Sequence, residues 1–322
     1  MSNKQVHFPI DSTEEHTLSY HTPVLLRESM ELLITNPKGV YIDGTMGGGG
    51  HTREILRHLS SEGRLFSFDQ DSDAAENAPH DDRFTFVASN FRYLPFWMDF
   101  YQVEKVDGIL ADLGVSSHHF DTPERGFSFR FEDAPLDMRM NRNATLSAQE
   151  ILASYSREEL ERIFRNYGEL TDAARIANCI ESRRSERMIT TSKDLVEAVA
   201  PLLPRQPQHR HRKLSRLFQA LRIEVNDELG ALRDFLSSSI EQLAVGGRLV
   251  VLTYHSLEDR IVKDLFLNES RKKQSREEEL IYGSQPGRLR VLSNKGIKPS
   301  TEEIARNSRA SSAKIRVAER RN

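Results

Sequence analysis

Four consecutive glycines, Gly47 to Gly50, follow a short apolar run that ends at Asp43. Each glycine costs about 1 kcal/mol of backbone entropy relative to alanine, so stability does not explain the run. Glycines in this position allow a ligand to approach the backbone at the N-terminus of a helix. We therefore expect a ligand to lie against this loop, with an unusually flexible turn as the alternative.

The flanking residues restrict what this ligand can be. Gly50 is followed by His51 and Thr52 rather than by Lys and Ser or Thr, which excludes a nucleoside triphosphate loop, and the third glycine of the dinucleotide pattern is missing. Asp69 ends the next apolar run 20 residues beyond Gly49, where a carboxylate can accept hydrogen bonds from ribose hydroxyls. The pattern favours a ribose-bearing ligand without a pyrophosphate, such as S-adenosylmethionine, and NAD is the alternative.

Four polar side chains stand where buried apolar runs end, namely Asp43, Asp69, Asp112 and His255. The carboxyl ends of parallel strands meet at one edge of a sheet, and ligands of open α/β sheets bind at that edge. One residue of this kind is often only a loop cap. Four of them together predict a common site.

Asp112 has the properties that the acceptor side of a group transfer requires. An aspartate of ordinary pKa, about 3.9, is ionised at pH 7 and only accepts hydrogen bonds. That suits an amino group whose lone pair must face a methyl donor. Methylation of cytosine C5 would need a covalent thiolate, whereas the single cysteine, Cys179, lies in a sequence typical of a packed helix. We therefore favour transfer to nitrogen or oxygen, with Asp112 as a catalytic residue.

His255 is the second candidate catalytic residue. Ser256 and Asp259 have capping-box spacing, which predicts a helix that begins at Ser256 and leaves His255 at the mouth of the cleft. Capping of the strand by His255 is the alternative. We predict no metal site at the histidine pairs elsewhere in the chain, His118 with His119 and His209 with His211.

The elements that must position these residues predict an α/β fold. Apolar runs separated by helical patterns indicate parallel strands near 39–43, 64–69, 84–87 and 106–112. The next buried run, 247–254, comes about 130 residues after Asp112, and one crossover helix needs far fewer. Helix signals fill the interval, including capping-box spacing at 147–150 and 156–159. We predict a discontinuous α/β domain at 1–116 and 213–322, with 214–243 as a long crossover, and a helical insertion at 117–212.

Composition sets the class of protein. The chain has 322 residues, 38% of them hydrophobic and 29% charged, with a net charge of −3, which excludes a disordered chain. It contains no apolar run long enough for a membrane span, and we expect a soluble cytoplasmic protein, monomer or homodimer. Basic residues concentrate at 205–223 and 288–322, which fits a localised polyanion site or merely solvated surface. Phenylalanines interleave with arginines at 120–131, which suits either stacking on unpaired bases or a packed core.

Eight segments, spread almost from end to end, resemble the RsmH/MraW methyltransferases, which methylate N4 of a cytosine in bacterial 16S ribosomal RNA. They are 20–26 (YHTPVLL), 43–51 (DGTMGGGGH), 112–117 (DLGVSS), 124–129 (ERGFSF), 135–140 (PLDMRM), 218–229 (FQALRIEVNDEL), 255–262 (HSLEDRIV) and 312–318 (SAKIRVA). The family often has Pro-Gln where this chain has His118 and His119, so position 119 departs from the family pattern.

The resemblance implies a Rossmann-like catalytic domain with an inserted helical domain, and S-adenosylmethionine as the methyl donor. It implies a substrate in the decoding region of 16S ribosomal RNA, within the small ribosomal subunit. By motif, the residues that bind the cofactor are Gly49, Gly50, His51, Asp69, Phe91, Asp112 and His119. Phe91 would pack against the adenine.

Overall fold

The fold is that of a computed structural model, which describes residues 23–272 and 285–322. The first three residues of the motif at 20–26 lie outside the described residues. Seven strands form one sheet: β1 (Val40–Asp43), β2 (Arg64–Asp69), β3 (Phe84–Ala88), β4 (Val106–Asp112), β5 (Leu243–Thr253), β6 (Leu289–Val291) and β7 (Lys314–Arg320). The predicted strands are confirmed. β5 begins earlier than predicted, and it ends one residue before Tyr254.

The order of the strands is β3-β2-β1-β4-β5-β7-β6. β1 to β5 pair in parallel, whereas β7 lies antiparallel between β5 and β6. The chain runs outward from β1 to β2 and β3, and then crosses to β4 on the other side of β1. In open α/β sheets the crevice at this reversal of strand order binds ligands at the carboxyl ends of the strands. The sheet is Rossmann-like.

Helices cover both faces of the sheet and build the insertion. They are α1 (Leu26–Leu33), α2 (Gly50–His58), α3 (Leu94–Phe100), α4 (Ser117–Asp121), α5 (Ala148–Ser154), α6 (Arg157–Asn166), α7 (Ala173–Glu186), α8 (Ser192–Ala198), α9 (Pro207–Asn226), α10 (Glu228–Gln242), α11 (Ser256–Glu269) and α12 (Thr301–Arg306). The capping boxes predicted at 147–150 and 156–159 are confirmed, since they start α5 and α6. No helix within 23–272 or 285–322 combines the length and apolar character that crossing a membrane requires.

Alternating side chains of the strands divide between two cores. Ile42, Phe66 and Ile109 point to the face covered by α3, α10 and α11, while their neighbours Tyr41 and Leu110 point to the face covered by α1 and α2. These side chains are buried on both faces, as expected of parallel strands with helices on either side. The near-continuous apolar runs of the sequence follow from this arrangement.

The insertion has a third core of its own. It is built from α5 to α8 together with α9, whose Leu214, Phe218 and Val225 are buried in it. The predicted long crossover is therefore two helices, separated at Asp227, where the backbone is left-handed with a φ of 45°. The boundary at residue 212 stays a prediction, and the packing favours a boundary near Asn226 because α9 continues in the insertion core up to that point.

One buried ionic cluster joins the insertion to the β2–β3 connection. Nη1 of Arg125 donates to Oδ2 of Asp71 at 2.8 Å and to Oδ2 of Asp73 at 3.0 Å, and its Nη2 donates to the carbonyls of Arg139 and Met140. Arg125 and Asp71 are only 3% and 4% exposed. A buried charge keeps its place only while its partners remain, so the cluster fixes how the insertion sits over the sheet.

We expect Arg125→Ala to lower the free energy of unfolding by about 3 kcal/mol, because it leaves the buried Asp71 without its guanidinium partner. Urea denaturation measures this loss. Arg130→Ala is the matched control, since Arg130 pairs with Asp121 on the surface and exposed pairs contribute about 1 kcal/mol or less. Equal losses in the free energy of unfolding for the two variants would contradict the view that the buried cluster stabilises the fold more than a surface ion pair does.

Candidate active site

A cleft of about 1210 Å³ opens at the carboxyl edge of the sheet, where the strand order reverses. One wall is formed by the glycine loop and the ends of β2, β3 and β4. The insertion and the starts of α10 and α11 also line the cleft. Seven of the predicted site residues line the cleft: Gly50, His51, Asp69, Phe91, Asp112, His119 and His255. The structure thus brings together residues that are far apart in the sequence, and the role of each stays a prediction.

Gly49 is placed differently from the other predicted residues. It precedes α2 with a left-handed φ of 73°, and its N–H donates to the carbonyl of Met46 at 2.7 Å. It is not among the residues that line the cleft. Its position suits the turn that starts the helix, because glycine adopts positive φ without strain.

Asp43 lies beneath the glycine loop, fully buried, and does not line the cleft. Its Oδ1 accepts the N–H of Thr45 at 3.1 Å, and its Oδ2 accepts the hydroxyl of Thr52 at 2.7 Å. Burial raises its pKa above the ordinary value. The expectation that all four strand-end residues share the site is therefore wrong for Asp43, whose two oxygens are engaged in holding the loop to α2.

Asp69 lines the cleft and also holds the loop. Its Oδ2 accepts the N–H of Gly47 at 2.8 Å, and its Oδ1 accepts the N–H of Asp71 at 2.9 Å. Burial raises the pKa of Asp69 to about 6. Each carboxylate oxygen has a second lone pair, so Asp69 retains the capacity to accept from a ligand hydroxyl.

Asp112 stands at the end of β4 in the middle of the cleft. Its backbone N–H donates to the hydroxyl of Thr45 at 2.7 Å, and its Oδ1 accepts the hydroxyl of Tyr254 at 2.6 Å. Its Oδ2 lies 3.5 Å from Nδ1 of His51. Burial raises the pKa of Asp112 to about 7, against the lowering effect of the Tyr254 hydrogen bond. The expectation that Asp112 has an ordinary pKa is therefore wrong, because the cleft buries its carboxyl group. Burial also lowers the pKa of His51, so its imidazole is neutral near pH 7.

Tyr254 is the residue of this site that sequence reasoning missed. It directly follows β5, the strand next to β4, and it lines the cleft. Its position one residue before His255, at the end of a buried strand, was the available signal. Nothing in the sequence pairs it with Asp112, which lies 142 residues earlier.

His255 caps α11 rather than standing free at the cleft mouth. Its Nδ1 accepts the N–H of Glu258 at 3.5 Å, and Glu258 accepts the N–H of His255 at 3.3 Å and that of Tyr254 at 2.8 Å. The helix begins at Ser256 as predicted, but the capping box runs from His255 to Glu258. The pairing of Ser256 with Asp259 was wrong, because Asp259 instead binds Lys314 and Arg316 of β7.

A carboxylate cluster beside His255 has partners of its own. One ligand atom from each of Glu228, His255 and Glu258 lies within 4.8 Å of the others, a spacing that a metal ion could use. However, Arg222 binds both oxygens of Glu228 at 2.7 and 2.9 Å. Since the backbone amides of Tyr254 and His255 also donate to Glu258, the partners present account for the cluster and we assign no metal to it.

His119 and Phe91 both line the cleft. His119 is buried, and its Nε2 is hydrogen-bonded to Oδ2 of Asp71 at 2.6 Å, which makes it part of the ionic cluster with Arg125. This bond and Arg125 hold the pKa of Asp71 at about 2. The ring of Phe91 packs against Phe235 at 4.7 Å and lines the cleft.

For the aromatic residues at 120–131, the structure supports the packed core of the two readings left open by the sequence, since Phe120 too packs against the insertion core. Phe127 is buried in the insertion core, and Phe129 packs against Phe218 at 5.3 Å. Phe120 lines the cleft. Cys179 lies on α7 and does not line the cleft, in agreement with its expected place in a packed helix.

Comparison with known proteins supports the resemblance. The sequence profile of the MraW methylase family matches residues 18–321. Ribosomal RNA small subunit methyltransferase H of Porphyromonas gingivalis is 51% identical over 304 residues, covering 94% of this chain and 97% of that protein. The protein of the same name from Phocaeicola vulgatus is 49% identical over 302 residues, covering 94% and 98%. A solved rRNA methylase from Streptococcus thermophilus aligns with 92% of this chain and 94% of its own, at 12% identity and a TM-score of 0.37.

The raised pKa of Asp112 predicts how stability depends on pH. Between its ordinary pKa and about 7, the folded state keeps a proton that the unfolded state releases, so this group destabilises the fold as pH rises through that window. We expect Asp112→Asn, which does not titrate, to match the wild type near pH 4.5 in thermal melts and to exceed its Tm at pH 8. The control is Asp264→Asn, which removes one exposed charge on α11. A Tm difference for Asp112→Asn that stays flat with pH would contradict the assignment.

Proposed function

The chain belongs to the MraW methylase family, and on this basis we propose that it transfers a methyl group to N4 of a cytidine in the decoding region of 16S ribosomal RNA, within the small ribosomal subunit. It is an RNA methyltransferase, and its methyl donor is S-adenosylmethionine. An enzyme that acts on ribosomal subunits works in the cytoplasm, where we place this protein. The observation that carries the proposal is the position of Asp112, whose carboxyl group stands in the cleft beside a loop shaped for the donor.

The glycines that line the cleft leave room for the methyl donor to lie against the protein backbone. If Gly47 carried a Cβ atom, its only neighbour within 4 Å would be the side chain of Ser116, at 3.9 Å. A Cβ atom on Gly114 would similarly approach only the ring of Tyr254, at 3.5 Å. Both glycines have positive φ, and the absence of their side chains leaves open space where a ligand can touch the chain. Gly50 and His51 then contact the donor at the start of α2, while Asp69 accepts from the ribose hydroxyls and Phe91 packs on the adenine.

When bound, S-adenosylmethionine supplies an electrophilic methyl group on a sulfonium centre. Asp112 accepts a hydrogen bond from the exocyclic amino group of the cytosine and turns the nitrogen lone pair towards that methyl group. The carbon–sulfur bond would break as a carbon–nitrogen bond forms, the sulfur would leave as a neutral thioether, and the proton lost from the amino nitrogen would pass to water. Alignment supplies much of the acceleration, because effective molarities of well-oriented groups reach about 10⁵ M or more. His255 orders this wall of the cleft through its cap on α11.

The first half of α9 is the surface that we assign to the RNA backbone. Four arginines at its start and before it are exposed, and none of their side chains forms an ion pair with any residue in 23–272 or 285–322: Arg205, Arg210, Arg212 and Arg216. Two other basic residues of the predicted zone do not contribute, because Lys213 binds Asp172 and Arg222 binds Glu228. The helix runs from this exposed end to Gln219 and Asn226 in the cleft, so it connects a basic surface to the site.

We expect the purified protein to methylate N4 of one cytidine in small ribosomal subunits that lack the modification. Subunits are incubated with isotopically labelled S-adenosylmethionine, and mass spectrometry of RNA digests locates the label. Asp112→Asn, which keeps the size of the side chain and its hydrogen bond from Tyr254, should retain donor binding and lose at least a hundredfold in turnover. Label on another base or on no RNA would contradict the proposed substrate, and near-normal turnover by the variant would contradict the role of Asp112.

We expect the double variant Arg210→Ala, Arg212→Ala to reduce the salt dependence of binding to small subunits. Each phosphate contact contributes about 0.7 to 0.9 to the slope of log K against log salt, so the slope should fall by about 1.4 to 1.8. Arg288→Ala with Arg290→Ala is the matched control, because it removes the same charge from arginines that are ion-paired at the edge of the sheet. Equal slopes for both double variants would exclude the start of α9 as the RNA surface.

A further inference from the structure

Tyr254 reaches Asp112 across two neighbouring strands. It follows the end of β5, and its hydroxyl donates to Oδ1 of Asp112, at the end of β4, over 2.6 Å. Its ring lies beside Gly114, where a Cβ would stand 3.5 Å from the ring and where φ is 105°. The tyrosine therefore covers the turn that follows Asp112 and binds the carboxyl group at the same time.

Tyr254 is itself held in place by a buried charge. Its backbone N–H donates to Oε2 of Glu258 at 2.8 Å, and Glu258 is only 3% exposed. Burial, together with the charge of Asp112, raises the pKa of the Tyr254 hydroxyl well above its ordinary value. The hydroxyl thus keeps its proton and acts as a donor throughout the range in which Asp112 titrates.

The other groups that face Asp112 come from three elements. His51 of α2 lies near Oδ2, Asp43 of β1 lies below the glycine loop, and Glu258 of α11 lies behind Tyr254. Both carboxylates favour the neutral form of Asp112, as does its burial. The Tyr254 hydroxyl is the one hydrogen bond to the Asp112 side chain among the described residues, and it favours the ionised form.

We propose that Tyr254 is a positioning residue for the methyl transfer, because its hydroxyl fixes the plane of the Asp112 carboxyl group and favours the form of that group that accepts the substrate's amino hydrogen. This inference rests on the proposed function, in which Asp112 must accept that hydrogen bond. A protonated Asp112 would present a donor to the amino group, which is the wrong partner.

The test is the pH profile of kcat for methyl transfer to small subunits. Tyr254→Phe removes only the hydroxyl, so the pKa of Asp112 rises and the acidic limb of the profile should move to higher pH by about one unit. Above that limb the rate should recover to within a few-fold of the wild type, and KM for S-adenosylmethionine should stay unchanged. A merely structural role would lower kcat equally at every pH, and either that result or an unshifted limb would overturn the inference.

Two controls keep the result interpretable. Tyr155→Phe removes a hydroxyl that binds a carboxylate, Glu224, at 3.0 Å within the insertion, and it should leave the limb in place. Replacing Tyr254 by 3-fluorotyrosine strengthens the donor without removing it, so the limb should move to lower pH, and this second variant remains decisive if Tyr254→Phe folds poorly. Failure of the wild type to methylate subunits would refute the proposed function, whereas active variants with superimposable profiles would refute only the role of Tyr254.

Discussion

The hydrogen bonds between strand-end aspartates and the glycine loop are the constraint on which the site depends. Asp43 binds Thr45 and the start of α2 from below, Asp69 binds Gly47 from the side, and the backbone N–H of Asp112 donates to Thr45. Four glycines in a row have little conformational preference of their own. The loop has one shape because the ends of three adjacent parallel strands determine it, and the ligand surface follows from that shape.

The sequence allowed prediction of the features that local patterns determine. Apolar runs located the strands, the capping boxes located α5 and α6, and the glycine run located the edge of the sheet where the cleft opens. The same patterns could not separate Asp43 from Asp112. Both end a buried strand, yet Asp43 is covered by the loop whereas Asp112 lies in the cleft, because the loop folds over β1 and leaves β4 open. That difference is decided by tertiary packing.

Counting charges along the sequence could not show which basic residues form ion pairs in the folded protein. Ion pairs within the part of the chain that the structure describes neutralise five of the ten basic residues in the zone at 288–322. Among these, Arg288 binds Glu269, Arg290 binds Glu319, and Arg316 binds Asp259. Their partners lie in α11 and β7, and no sequence pattern connects them. The zone at 205–223 keeps four arginines without an ion pair among the described residues, and it includes the exposed start of α9. The Tyr254–Asp112 contact was out of reach for the same reason, since two strands remote in sequence create it.

The antiparallel position of β7 also determines when the sheet can be completed during synthesis of the chain. β5, which delivers Tyr254, has β7 along its outer edge, and Thr253 meets Lys314 only 61 residues later in the chain. Until that stretch has emerged from the ribosome, β5 offers an unpaired edge of the kind that invites misassociation. Asp259, in the first turn of α11, likewise cannot form its ion pairs until Lys314 and Arg316 have been synthesised. The nascent polypeptide therefore completes this wall of the cleft late in translation, after nearly all of the described chain has been made.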